Sequence, residues 1–328
     1  FGLEPDSLGA LKLMASTDDV IGMSRTYNIP GGKAAGTFGQ GLPAIRETDM
    51  IMGTAPQRIL FLSENEGFRA NVGCANGTAE DLTINVGIFD DEGSLLDTRT
   101  MELGPYANDQ LNQVLGDWAP MNGYVDVWAD RDDALYTCYG SMLDNQTSDP
   151  TTILPQTPSD DTIFIPAAAL AAGAEGSFFT TDLDLANAGS SDLTYELLWL
   201  PRGEDNSDPT RSDTFSLAAG TGVRYGDVLG SIFGLEPDEV GALSIEASGT
   251  DLLAMSRTYN MPSASGAGTF GQGLAGIAAD WMIPTGVTRR ILFLSEDDDI
   301  RSNVGCVKGV GTEVTVAIDL YDSAGAKL

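Results

Sequence analysis

Residues 1–96 of this 328-residue chain align without a gap on residues 233–328, and 47 of those 96 positions are identical. Phe1-Gly2-Leu3-Glu4-Pro5-Asp6 returns at 233–238, Ser24-Arg25-Thr26-Tyr27-Asn28 at 256–260, and Arg58-Ile59-Leu60-Phe61-Leu62-Ser63-Glu64 at 290–296. A repeat this close sets the architecture before any local pattern does, because the unit it encodes must be built more than once. A weaker repeat lies inside the long one. Thr180-Thr181-Asp182-Leu183-Asp184-Leu185-Ala186-Asn187 resembles Arg69-Ala70-Asn71-Val72-Gly73-Cys74-Ala75-Asn76, and Gly241–Ile245 matches Gly123–Val127. Asp251–Ser256 likewise matches Asp133–Cys138. The period therefore holds two related modules, B (57–157) and A (163–277). Residues 1–48 are then the back half of an A module and 289–328 the front half of a B module.

Each module reads as β. Leu82-Thr83-Ile84-Asn85-Val86-Gly87-Ile88 and Tyr124-Val125-Asp126-Val127-Trp128 alternate with period two, and turn residues such as Asp90-Asp91-Glu92-Gly93 and Asn76-Gly77 punctuate the runs. Short strands at that spacing predict an all-β chain of tandem immunoglobulin-like β-sandwich modules. Short helices are expected at 109–115 and 225–233. Cys74 falls on an early strand of B and Cys138 on a late one, facing each other across the core, which makes a disulfide. Cys306 is the copy of Cys74. The A module places Leu185 and Ser256 at the two cysteine positions.

Composition narrows the function. The chain has 48 acidic and 17 basic residues, a net charge of −31, and no histidine. Nucleic acid is excluded as a partner, since phosphate binding needs clustered Lys and Arg. The longest uncharged apolar stretch, 163–174, is shorter than the roughly 20 residues of a spanning helix, so no membrane insertion is expected. The chain opens at Phe1 with no initiator methionine, which reads as a processed product or a stretch of something longer.

The runs Tyr139–Thr151, Ile163–Ala169 and Gly176–Leu183, with the repeated Ser-Arg-Thr-Tyr-Asn and Gly-Thr-Phe-Gly-Gln, are similar to a group of uncharacterised secreted bacterial proteins with tandem immunoglobulin-like β-sandwich repeats. The resemblance implies export and extracellular or cell-surface use. It transfers no catalytic residue.

Site chemistry is sparse. Gly266-Ala267-Gly268-Thr269-Phe270-Gly271 has the dinucleotide spacing but follows a Pro-Ser loop rather than a strand, and its first copy breaks the pattern. It reads as a connector, and no cofactor is expected. Acidic clusters at Glu296, Asp297, Asp298 and Asp299, and at Asp90 and Asp91, are Ca²⁺ candidates on composition alone. They lack EF-hand spacing and read first as solvated loops. Trp118, Tyr124 and Trp128 form a candidate glycan platform, with core packing or contact between modules as the plainer reading. Arg25 and Arg257 are the repeated charges read as structural, each bridging to a loop carboxylate or stacking on the neighbouring Tyr. Asn76 and Asn145 open glycosylation sequons.

No nucleophile has a base beside it, so an enzyme is not expected. The leading expectation is an extracellular structural protein, a subunit of a fibre, sheath or surface layer. Its partners are neighbouring repeats of a longer chain, or copies of itself joined head to tail by strand exchange between 289–328 and 1–48. A cell-surface adhesin or carbohydrate-binding module is the alternative.

Overall fold

A computed structural model describes residues 9–16, 20–28, 37–158, 160–173, 176–261, 268–297, 300–309 and 313–328. Asp298 and Asp299, and Gly266 and Ala267 of the glycine run, lie outside the described residues.

The chain is nearly all β. A hairpin of β1 (Met23–Asn28) and β2 (Phe38–Pro43) comes first, followed by the short β3 (Ile51–Met52). The B unit runs through β4 (Gln57–Glu64), β5 (Phe68–Asn76), β6 (Leu82–Asp90), β7 (Leu95–Leu103), β8 (Asn108–Leu111), β9 (Met121–Ala129), β10 (Leu135–Asp144) and β11 (Pro150–Ile153). One antiparallel sheet has the order β4-β9-β6-β7 and the other β11-β10-β5-β8, with β3 on β10. Period-two alternation does the folding here. Leu82, Ile84, Val86 and Ile88 of β6 are buried and meet Val72, Cys74, Tyr136 and Cys138 from the second sheet.

The A unit repeats this succession with β12 (Thr162–Ala172), β13 (Phe178–Asn187), β14 (Leu193–Pro201), β15 (Thr210–Arg211), β16 (Phe215–Leu217), β17 (Gly222–Tyr225), α1 (Val228–Phe233), β18 (Glu239–Ala247), β19 (Leu252–Met261), β20 (Phe270–Ala275) and β21 (Ile277–Ala278). Its order is β15-β14-β18-β12-β13-β19-β20, with β17 on β13. The sheet is continuous because Ala171 and Ala172 at the end of β12 also pair with β13. A second core of Ile165, Leu183, Leu197, Trp199, Val228 and Leu243 fills it.

Several expectations are corrected. An immunoglobulin constant domain pairs its first two strands within one sheet. Here β4 and β5 lie in opposite sheets, as turn spacing reports how many strands there are and not how they pair. The disulfide Cys74–Cys138 is present, but it joins directly opposed residues of neighbouring strands in one sheet instead of crossing the core. In A, Leu185 pairs with Ala254, so Ala254 and not Ser256 occupies the second cysteine position. The segment expected as a helix at 109–115 contains β8 and then a 3₁₀ turn at Gly116–Trp118, whereas α1 forms inside the second expected helix. Asp227 caps α1 by accepting from the Gly230 N–H.

β4 is buried along nearly its whole length. One side meets its own core. The other is pressed against the A unit, whose Ala186, Leu253 and Met255 join the first core. The pairing with β9 shifts between Ile59 and Leu62, where Phe61 takes φ 58°. This bulge turns the Phe61 N–H outward to the Asp184 carboxylate of A.

Candidate functional site

Apart from Glu64, which is bonded within the B unit, the buried charges of the described residues gather where the two units meet. Three arginines carry the junction. Arg58 on β4 holds Asp126 of β9 through two bonds of 2.8 and 2.9 Å, and its guanidinium lies 3.8 Å from the centre of the Tyr124 ring. Its third nitrogen donates across the junction to the Asn187 carbonyl at 3.3 Å. Tyr124 stacks on Phe89 and donates its hydroxyl to the Gly220 carbonyl at 2.6 Å. The β6–β7 turn comes so close that a Cβ on Gly93, at φ 80°, would sit 2.7 Å from that same carbonyl.

Arg224 on β17 reaches the other way. It grips Asp184 at 2.6 Å, donates to Ser63 and to Asn122 (3.0 Å) of B, and lies 4.2 Å over the Phe61 ring. Burial pushes the Asp184 carboxyl up, and Arg224 opposes that. Asp91 sits beside this pair, with its pKa raised to about 6 by burial first and by the Asp184 charge second.

Arg257 on β19 is the deepest, at 2 % exposure. It donates to Thr151 at 2.9 Å and to Thr269 at 3.0 Å, faces Asp149 at 3.7 Å, and stacks at 4.9 Å on Tyr259. Burial raises Asp149 and lowers Arg257, and the attraction between the two charges opposes both shifts. Asp144 accepts from the Thr269 N–H (2.7 Å) and hydroxyl (2.9 Å), and Asp149 from the Gly271 N–H (2.8 Å). Burial raises Asp144 too, but amides of Thr147, Thr269 and Gln146 outweigh it and leave its pKa low. The turn 144–151 of B is thus a cup for the β19–β20 hairpin of A.

These contacts fasten two bodies to each other. The cleft lined by Gln156, Asp160, Ile163, Leu252, Gly276 and Ala278 measures about 30 Å³, room for water only.

The expected sites scatter. Asp90 accepts from the Ser94 N–H to close its own turn, and Asp91 lies at the junction. Asp297 accepts from the Ile300 N–H and Glu296 from the Ser302 N–H. No group of three or more potential metal-ligating side chains exists among the described residues. The glycan platform loses its central ring, because Tyr124 is buried under Arg58. Trp118 is half-buried against the core with Arg99 over it, and Trp128 lies across Gly87. The Asn76 sequon is sealed, since its amide donates to the carbonyls of Glu80, Leu103 and Gly104. Asn187 does the same in A for Ser191, Leu217 and Ala218. The repeated Ala-Asn pair was the visible signal for that role.

Arg25 and Arg257 do what their repeated context suggested, stacking on Tyr27 and Tyr259, with Arg257 also bridging to a loop carboxylate. Arg58 and Arg224 were not singled out by sequence. The signal was there for Arg58, a lone cation at the head of Ile59-Leu60-Phe61-Leu62. No helix among the described residues is long and apolar enough to cross a membrane. No protein family, curated protein or solved structure matches this chain.

Proposed function

We propose that this protein is an extracellular structural repeat protein, a subunit of a fibre, sheath or surface layer built from tandem β-sandwich units. The observation that carries the reading is the junction. Two homologous units are locked by three arginines, Arg58 and Arg257 buried and Arg224 partly buried, and by a shared apolar core, a design suited to transmitting load along a chain of units. The Cys74–Cys138 disulfide supports an oxidising, extracellular location. The charge of −31 keeps such an exterior hydrated. An antibody raised against the chain, used for immunogold electron microscopy on intact source cells, tests this. Label on surface polymers is expected, and label confined to the cell interior would sink the reading.

A further inference from the structure

The A-type hairpin occurs twice, and each copy uses a different side. In β1–β2, Arg25 lies opposite Gly41 and Thr26 opposite Gln40, so Arg25 and Gln40 project to opposite sides. In β19–β20 the register is the same one repeat later, with Arg257 opposite Gly273 and Thr258 opposite Gln272. The two hairpins share the local arrangement of arginine, threonine and tyrosine. Arg25 donates to Thr37 at 3.1 Å as Arg257 donates to Thr269 at 3.0 Å. Yet β19–β20 applies its arginine side to the B unit, while β1–β2 applies its glutamine side to the same unit. There Gln40 accepts from Thr152 at 2.7 Å and Ser141 at 3.3 Å. Strand β11 contacts both hairpins.

Among the described residues the Gln272 side of β19–β20 has no such bond to a B-type unit, and the apolar residues described in 289–328, such as Ile291, Phe293 and Ile318, are exposed. In the first copy the matching residues, 57–96, are covered by the strands of 97–157. We infer that the Gln272 side and the described residues of 289–328 together form the docking surface for the back strands of a B-type unit, a polypeptide with the sequence of residues 97–157. Hairpins and B-type units then alternate along an array. This rests on the tandem-unit reading above.

Three observations select that occupant. Arg290 copies Arg58, whose partner is Asp126 of a B-type back half. The corresponding position of residues 1–48 is Lys12, so strand exchange with a neighbour's 1–48 would set two cations against each other. Cys306 is an exposed free thiol and copies Cys74, whose partner Cys138 also lies in 97–157. A second copy in this conformation offers no vacancy, because its 97–157 already covers its own 57–96 and receives its own Arg257. The one buried polar change, Asn76 to Lys308, keeps a group with three donors for the same carbonyls.

The test extends the full chain after Leu328 with a second copy of residues 97–157. Hydrogen exchange is then followed in a buffer of reduced and oxidised glutathione. Amides of 289–328 are expected to slow at least ~100-fold, as in a newly buried sheet. Cys306 and the added cysteine are expected to lose two protons and two electrons to one oxidised glutathione, forming a disulfide and two glutathione thiols. Gln272→Ala in the extended chain should restore several-fold faster exchange in 289–328 while 57–96 stays protected. Four results would overturn the inference. They are fast exchange in 289–328 despite the extension, equal protection from an appended 233–280, and loss of protection in 57–96 through capture of the added strands. The fourth is a dimer of the unextended chain that already protects 289–328. A chain that docks in this way but labels no surface polymer removes only the fibre reading.

Discussion

Residues 57–96 and 289–328 are identical at 17 of 40 aligned positions, and their described residues are opposites in burial. Ile59, Leu60, Phe61 and Leu62 are at most 2 % exposed, whereas Ile291, Leu292, Phe293 and Leu294 are 37–64 % exposed. The first segment forms β4, β5 and β6 and opens β7. The described part of the second has no strand, only a bridge between Tyr321 and Lys327. The turns nevertheless survive. Asn65 bonds Phe68 at 2.9 Å, and its copy Asp297 bonds Ile300 at 2.8 Å. Asp90 accepts from the Ser94 N–H at 2.7 Å, and Asp322 from the Ala326 N–H at 2.8 Å. Even the backbone twist at the bulge recurs, with φ 58° at Phe61 and 67° at Phe293. Contacts within a few residues are carried by the segment itself. Strands are not, since β4, β5 and β6 pair with β9 and β10 and not with one another. The segment owns its turns and borrows its sheets.

The sharpest way to break this comparison is to substitute paired positions. Arg257→Ala leaves Asp149 buried without its cation and should cost about 3–5 kcal/mol in urea unfolding. Arg25→Ala, on the free side of the copy hairpin, should cost no more than about 0.5 kcal/mol. Equal costs would mean that the two hairpins are in equivalent surroundings. The apolar pair comes next. Ile59→Ala opens a cavity in a fully buried site and should cost about 3 kcal/mol, while Ile291→Ala should leave the unfolding midpoint unchanged. A matching loss at Ile291 would show that 289–328 is already packed.

Much of this was legible. The all-β class followed from alternation such as Leu82, Ile84, Val86 and Ile88, and the cysteine pairing from strand position. Strand order was not legible, because alternation says which side of a strand is buried and nothing about its neighbour. Nor was the junction. Arg58 and Asp126 are far apart in sequence, and their meeting depends on the β4–β9 register across a bulge. Tyr124 depends on the same meeting of units. Alternation put it on one side of its strand with Trp128 and left glycan binding and contact between modules both open, and the A unit made that side an interior.

The buried asparagine sharpens the contrast at smaller scale. Asn76→Ala strands the carbonyls of Glu80, Leu103 and Gly104 and should cost about 2 kcal/mol. Asn76→Lys imports the residue of the third copy, Lys308, and should recover part of that loss. A lysine as costly as alanine would mark the turn at 308 as built differently from the turn at 76.

The smallest expected effect separates the two segments by pH. Asp91 has no acidic copy, since Ser323 stands at the matching position. Its pKa in the folded state is raised from 3.8 to about 6, mainly by burial and then by the neighbouring Asp184. A raised carboxyl favours the folded state when protonated. Its contribution is complete below about 3.8 and is lost as pH climbs through about 6. At pH 7 the ionised Asp91 therefore works against the junction. Asp91→Asn should raise stability at pH 7 by about 1 kcal/mol, allowing for partial solvent exposure, and should leave it unchanged near pH 3.5. Thermal unfolding of both proteins between pH 3.5 and 7.5 checks this. Melting curves that differ by the same amount at every pH would remove Asp91 as the cause and return the pH response to the Asp184–Arg224 pair.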